Sequence, residues 1–220
     1  MKFLLMSQGV ENESIKEALL DLLGKPFSET NLAFIPTASL ASPVEKSWLL
    51  KMLNQFYDLG FQNYDIVDIA GLPEDTYLQR LEAADLLMFS GGNTMHLAYT
   101  IKRIGFKKHL DRLLETRVYA GNSAGSIVST SALHMAGDKH GSYSSMVDLS
   151  DIGALKYHNF QLRPHWKHPS HVRSTEEWVE KTIAENNITE PVYLLDDQSA
   201  IKVDGEKIEV VSEGEWKVYN

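Results

Sequence analysis

Cysteine is missing from all 220 residues. Its absence excludes disulfide scaffolds, thiolate zinc sites and any cysteine nucleophile, so covalent catalysis would fall to another side chain. Long apolar runs are missing too. The opening Met1-Lys2-Phe3-Leu4-Leu5-Met6 closes on Ser7, Gln8 and Gly9, too short for a signal-peptide core or a membrane span. That segment reads as a first buried strand, and the chain as a cytoplasmic protein with no membrane partner. Positive charge is also scarce: Lys plus Arg number 21 against 30 Asp plus Glu, a net charge of −9. With no dense Lys/Arg run, this balance argues against a nucleic-acid partner, although one cationic pocket for a small anion stays compatible with it. No Pro/Gly/Ser-rich linker, internal repeat or low-complexity tract divides the chain, which predicts a single domain over residues 1–220.

Hydrophobic residues at 43% and charged residues at 23% give the chain enough apolar surface for a full core. Short apolar runs alternate with segments of helical period. The runs Phe3 to Met6, Leu32 to Ile35, Tyr64 to Ile69, Leu86 to Phe89 and Val118 to Ala120 predict strands. Between them, Ser42-Pro43-Val44-Glu45 has the form of a capping box, and Val44, Trp48, Leu49, Met52, Leu53, Phe56 and Leu59 make one apolar stripe that Gly60 ends. Ile15, Ala18, Leu19, Leu22 and Leu23 repeat the pattern before Gly24, and one helical stretch begins after Gly92 and continues through Leu110, Leu113 and Leu114. Alternation of this kind predicts an α/β fold with right-handed crossovers and a mostly parallel sheet covered on both faces. Later, Ser174-Thr175-Glu176-Glu177 predicts a capped helix through Trp178, Val179 and Ile183. Strands at Val192 to Leu195, Ala200 to Val203 and Lys207 to Val211, with turn signals at Asp204-Gly205 and Glu213-Gly214, then predict a closing antiparallel meander in the same sheet.

The strongest chemical signal is Gly121-Asn122-Ser123-Ala124-Gly125, placed where the fifth strand turns into a helix. It reads as a nucleophile elbow: small residues two before and two after the serine permit a tight, strained turn that lifts the hydroxyl above the sheet edge. The N–H of Ala124, opening a helix, then points to where an oxyanion would form. The competing reading is a small-residue packing turn. Ser90-Gly91-Gly92-Asn93-Thr94 follows the preceding strand, and if the two strands are adjacent its glycine N–H groups can complete the oxyanion hole. A phosphate cradle is disfavoured, because the loop has neither the lysine of a P-loop nor the third glycine of a dinucleotide fingerprint.

Histidines crowd one stretch, at His158, His165, His168 and His171. A base for Ser123 is expected among them. A metal site would compete, since three histidines at spacing three could converge. Pro164 and Pro169 forbid a regular helix there, however, and no acidic residue sits among them, so no metal is expected. Solvated surface histidines are the bland alternative.

Ile35-Pro36-Thr37-Ala38, Ser90-Gly91-Gly92-Asn93-Thr94, Gly121-Asn122-Ser123-Ala124-Gly125-Ser126, Arg163-Pro164-His165 and Asp197-Gln198-Ser199-Ala200, in that order along nearly the whole chain, resemble the peptidase E family of serine peptidases, the aspartyl dipeptidases. The resemblance implies a three-layer α/β sandwich related to the class I glutamine amidotransferases, with serine in place of their cysteine. It implies Ser123 as nucleophile, His165 as general base and Asp197 as orienting acid. Gly91, Gly92 and Ala124 would form the oxyanion hole, and Asn93 and Arg163 would meet the substrate. The best-known members carry glutamate then glycine where this chain has Asp197-Gln198, and Asp138 is the alternative acid. The implied substrate is a small peptide, an N-terminal aspartyl dipeptide above all, whose β-carboxylate calls for a cation. Arg163 is nearest, with Lys167 and Arg173 behind it. No metal or organic cofactor is implied. Two rivals stand beside this reading. An α/β-hydrolase esterase would share the elbow but place its acid before its histidine, from Asp138, Asp148 or Asp151. A non-catalytic flavodoxin-like module would only hold a small anion above the glycine loops.

Overall fold

The computed structural model describes residues 1–41, 43, 45–137 and 152–220. The order of elements runs β1 (Lys2–Met6), α1 (Glu13–Leu23), β2 (Asn31–Ile35), α2 (Thr37–Leu40), α3 (Ser47–Asp58), β3 (Asn63–Ile66), α4 (Glu74–Glu82), β4 (Leu86–Phe89), α5 (Thr94–Arg103), α6 (Lys107–Leu113), β5 (Val118–Asn122) and α7 (Ala124–Ile127). The C-terminal part adds β6 (Gln161–Arg163), α8 (Glu176–Asn186), β7 (Val192–Leu195), β8 (Ser199–Asp204), β9 (Lys207–Ser212) and β10 (Trp216–Tyr219).

Seven strands form the central sheet in the order β3-β2-β4-β5-β1-β8-β9. The first five are parallel, and β8 and β9 run antiparallel to them. Side chains alternate across this sheet as its two-residue period requires. Leu4, Met6, Phe34, Met88 and Ala120 face a core closed by Ile15, Leu19 and Leu22 of α1 and Leu49, Met52 and Phe56 of α3. Phe3, Leu5, Ile35, Leu87, Phe89 and Tyr119 face the opposite core, covered by residues of α4, α5, α6 and α7. The result is three layers with a mostly parallel centre, as expected. Strands β1, β2, β4 and β5 are buried on both faces, which is why each carries an apolar run in the sequence, whereas the edge strand β3 is half-exposed.

Four local expectations change. The helix read from Ser42 begins at Ser47 instead. Glu45 turns back on the chain and accepts hydrogen bonds from the Ser47 N–H at 2.6 Å and the Ser47 hydroxyl at 2.7 Å, while Ser42 and Val44 lie outside the described residues. Thr175 rather than Ser174 caps α8, its hydroxyl accepting from the Trp178 N–H at 3.2 Å. The single stretch expected after Gly92 is two helices, broken at Gly105, whose φ of +64° an L side chain rarely adopts. The strand read from Tyr64 to Ile69 stops at Ile66, after which Asp68 accepts from the Thr37 hydroxyl at 2.7 Å and bends the chain.

The meander also divides. Strands β8 and β9 extend the central sheet beside β1, but β7 joins a second sheet of order β10-β7-β6. Its core is Met135, Val179, Ile188, Val192 and Leu194. Strand β6 is three residues long and β10 is largely exposed, so neither offers a pattern of alternation that marks a strand. Among the described residues no helix is long and apolar enough to cross a membrane.

Candidate active site

Strands β4 and β5 are parallel neighbours, with Phe89 opposite Gly121, so the loops that leave them emerge side by side at the carboxyl edge. The second of these loops begins with Ser123, at φ 47° and ψ −101°, a backbone state costing on the order of 1–3 kcal/mol in a non-glycine residue. The surroundings hold it there. Its N–H donates to the Met6 carbonyl at 3.0 Å, and the Ser126 hydroxyl lies 2.8 Å from the same carbonyl and 2.7 Å from that of Gly121. A Cβ on Gly121 would stand 2.6 Å from the Gly125 backbone, and one on Gly125 would run into the Phe89 carbonyl. The small residues of the motif are therefore set by close packing of the turn against β4 and α7.

The loop after β4 is shaped from below by α2. The Ser39 hydroxyl donates to the Gly91 carbonyl at 2.7 Å, and the Ala38 carbonyl accepts the Asn93 N–H at 2.9 Å. Among the described residues, the N–H groups of Gly92 and Ala124 have no acceptor. Asn93, expected at the substrate, caps α5: its side-chain oxygen accepts from the His96 N–H at 2.8 Å, which takes the side chain out of both clefts described below.

His165 and Asp197 arrive from the other sheet. His165 follows β6 by two residues, and Asp197 lies in the connection from β7 to β8. Because β8 is antiparallel to β1, with Met6 opposite Ala200, its start lies at the carboxyl edge where β1 and β5 end. Asp197 reaches that edge in the connection where the chain passes from the second sheet to the central one, and not from a strand paired within the central sheet. His165 Nε2 is 3.0 Å from Ser123 Oγ, and Nδ1 is 2.7 Å from Asp197 Oδ1. A carboxylate can only accept, so Nδ1–H donates to Asp197, leaving Nε2 to accept from the serine hydroxyl. Burial alone would raise the Asp197 pKa; the hydrogen bond and charge of His165, the charge of His168 and the Ser7 hydroxyl outweigh it and hold the carboxyl below its ordinary value. Asp196, one residue away, is turned to its own loop, where it accepts from the Ser199 hydroxyl at 2.6 Å and the Gln198 N–H at 3.0 Å.

Ser7, which follows β1, carries no motif in the sequence. Fully buried, it accepts the His165 N–H at 2.8 Å and donates to Asp197 Oδ1 at 3.2 Å, tying both residues to the central sheet. His165 itself sits at φ +62°. The other histidines separate. His158 is buried between Phe3 and Phe160, where burial lowers its pKa to about 4, while His168 and His171 lie against His165. Among the described residues no group of three His, Cys, Asp or Glu could hold a metal ion. Asp138, Asp148 and Asp151 lie outside the described residues.

Two clefts flank Ser123. One, of about 340 Å³, has Glu11, Trp48, Lys51 and Met52 in its wall; the other, of about 370 Å³, has Arg163 and Arg173. Arg163 is buried, donating to the Met135 carbonyl at 2.9 Å and lying 4.6 Å from the Trp178 ring. Arg173 donates to the Gly137 carbonyl. Lys167 turns away to Glu215, at 2.7 Å, and lines neither cleft.

The family model of peptidase family S51 matches residues 3–211. Peptidase E of Streptomyces coelicolor is 25% identical over 228 aligned positions, covering 100% of this chain and 87% of the relative. Peptidase E of Shewanella putrefaciens is 28% identical over 134 positions, covering 60% and 52%. A crystal structure described as a candidate peptidase E from Listeria monocytogenes superposes with a TM-score of 0.79 at 21% identity, covering 97% of this chain and 98% of that one. A peptidase from an acI-B1 actinobacterium gives 0.64 at 15% identity, over 98% and 88%. With a strained serine at the sheet edge and a family match over nearly its whole length, the chain belongs to peptidase family S51 and is a serine-type peptidase.

Proposed function

We propose that the enzyme hydrolyses small peptides, N-terminal aspartyl dipeptides foremost, through Ser123, His165 and Asp197. The observation that carries this reading is the continuous run of hydrogen bonds from Ser123 Oγ through the His165 ring to Asp197, at 3.0 and 2.7 Å. Ser123 Oγ attacks the amide carbonyl while His165 Nε2 takes its proton, and Asp197 stabilises the resulting imidazolium. The carbonyl oxygen becomes an oxyanion facing the N–H groups of Ala124 and Gly92, with Gly91 shaping the loop. His165 returns the proton to the leaving amine as the C–N bond breaks, giving an acyl-serine. Water, deprotonated by His165, then releases the acid and restores the serine. No step calls for a metal or organic cofactor.

Aspartyl preference follows from the charge of the second cleft, where Arg163 and Arg173 stand on the wall. A β-carboxylate there gains charge-assisted hydrogen bonds, and an uncharged isostere does not. The test is a dipeptide library presented to wild-type enzyme and to Ser123→Ala. Asp-X dipeptides should lead the wild-type profile, and the variant should lose several orders of magnitude in turnover with its fold intact. A variant that retains more than a tenth of wild-type activity, or a profile led by neutral residues, would overturn the respective half of the proposal.

A further inference from the structure

Resting on the assignment of Ser123 and His165 above, we propose that His171 is a positioning residue of the hydrolytic machinery. Its ring forms a flat aromatic wall that fixes the plane of the His165 imidazole and presents its face to the positive charge His165 gains on taking the serine proton.

The contact arises from backbone winding. The His168 N–H donates to the His165 carbonyl at 3.1 Å, the His171 N–H to the His168 carbonyl at 3.0 Å, and the Ser174 N–H to the His171 carbonyl at 2.8 Å. Three successive i to i+3 turns bring histidines spaced by three residues to one side of the segment, although Pro164 and Pro169 break any regular helix. The rings converge without making a metal site. His171 lies 4.0 Å from His165, centroid to centroid, at an interplanar angle of 17°, whereas His168 meets both rings obliquely and places Nε2 at 3.9 Å from Asp197 Oδ2.

The chemistry follows from that geometry. Both His165 nitrogens are held in the ring plane, by Ser123 and Asp197, so tilt out of the plane is the freedom left to the imidazole. A ring stacked on its face removes that freedom. The π face of a neutral aromatic ring also attracts a cation, so the stack favours the imidazolium present while the tetrahedral intermediate forms. This needs a neutral His171. His171 is exposed on the side away from the stack, and its partial burial against the neighbouring histidines lowers its pKa to about 4, with the charges of His165, His168 and Arg163 adding to the effect and Asp197 opposing it.

Two substitutions separate a stacking wall from mere filling of space. His171→Leu keeps apolar bulk without a π face, and His171→Phe keeps the face but can neither titrate nor donate. The rate of Ser123 labelling by a small alkyl fluorophosphonate, followed against pH, reads the activated serine without depending on a peptide subsite. In that reaction an Oγ–P bond forms, fluoride leaves and His165 takes the proton. His171→Leu should lower the plateau rate roughly three- to tenfold and move the midpoint of the acid limb down by about half a pH unit to one unit, because the imidazolium loses its stabilising face. His171→Phe should restore both within about twofold. A merely structural role would lower the plateau without that downward shift. A Leu variant equal to wild type, or a Phe variant as impaired as Leu, would overturn the role of His171 alone. Failure of the wild-type enzyme to label at Ser123 would overturn the assignment beneath it as well. Should His171→Leu not fold, His171→Met poses the same question.

Discussion

Ser123 stands on a strand-to-helix turn within the seven-stranded sheet, whereas His165 and Asp197 stand on connections at the edge of the three-stranded one. The first region is fixed by close packing: backbone meets backbone around Gly121 and Gly125, and a substitution there collides at once. The second is fixed by polar contacts. His165 is held through its N–H by Ser7, through Nδ1 by Asp197 and on its face by His171. Steric walls can hold a nucleophile in a strained conformation without offering it a proton acceptor, whereas a general base needs a neighbourhood that tolerates gain and loss of charge. The division between sheets gives each residue the kind of support its chemistry requires.

The largest expected effect is on the polar side. Asp197→Asn should lower turnover by roughly three to four orders of magnitude, through the wrong imidazole tautomer and an unstabilised imidazolium. Asp196→Asn is the control. It should cost about 1–2 kcal/mol of stability from lost turn contacts while steady-state turnover stays near wild type. Near-normal turnover in Asp197→Asn, with collapse in Asp138→Asn or Asp151→Asn, would put the acid before the histidine in the chain.

Ser7→Ala sharpens the comparison by cutting the link between the regions. It leaves the buried His165 N–H without its acceptor and should cost about 1–3 kcal/mol in urea unfolding, with about a tenfold loss of turnover. Loss of stability with unchanged turnover would reduce Ser7 to a packing role.

The smallest effect is confined to stability. His158 is seven residues from His165 yet belongs to the apolar core, with a folded pKa of about 4 against an ordinary 6.5. Between those values the unfolded chain binds a proton that the folded one does not, so stability falls as pH drops from 6.5 toward 4. The contribution at pH 5 is a loss of about 2 kcal/mol, and His158→Phe should abolish that part of the acid sensitivity without altering hydrolysis. An unchanged slope of stability against pH would contradict the burial argument.

How far these regions could be read from the sequence follows the same division. The four inner parallel strands β1, β2, β4 and β5 and the Ser123 elbow are local patterns: apolar runs buried on both faces, and small residues at fixed spacing around a serine. The stretch around His165 is legible as chemistry but not as conformation, since Pro164 and Pro169 announce irregularity without saying which histidine faces Ser123. Resemblance to a family supplied that choice. Strands β6 and β10, and with them the second sheet, have too few buried residues to leave a periodic mark, so β7 reads as part of the central sheet. Ser7 is a lone hydroxyl whose two partners are 158 and 190 residues away, a separation no local pattern encodes. Asn93 is a substrate residue by family resemblance, while its position at the start of α5 makes it the helix cap, its side-chain oxygen accepting the His96 N–H.

The most direct measurement of the central claim is to map the fluorophosphonate adduct by peptide mass spectrometry in wild-type enzyme, Asp197→Asn and His165→Gln. A single adduct on Ser123 in the wild type, formed more slowly by orders of magnitude in both variants, is the predicted result. An adduct on another residue, or peptide hydrolysis that persists in fully labelled or unlabellable enzyme, would contradict the Ser123, His165 and Asp197 account.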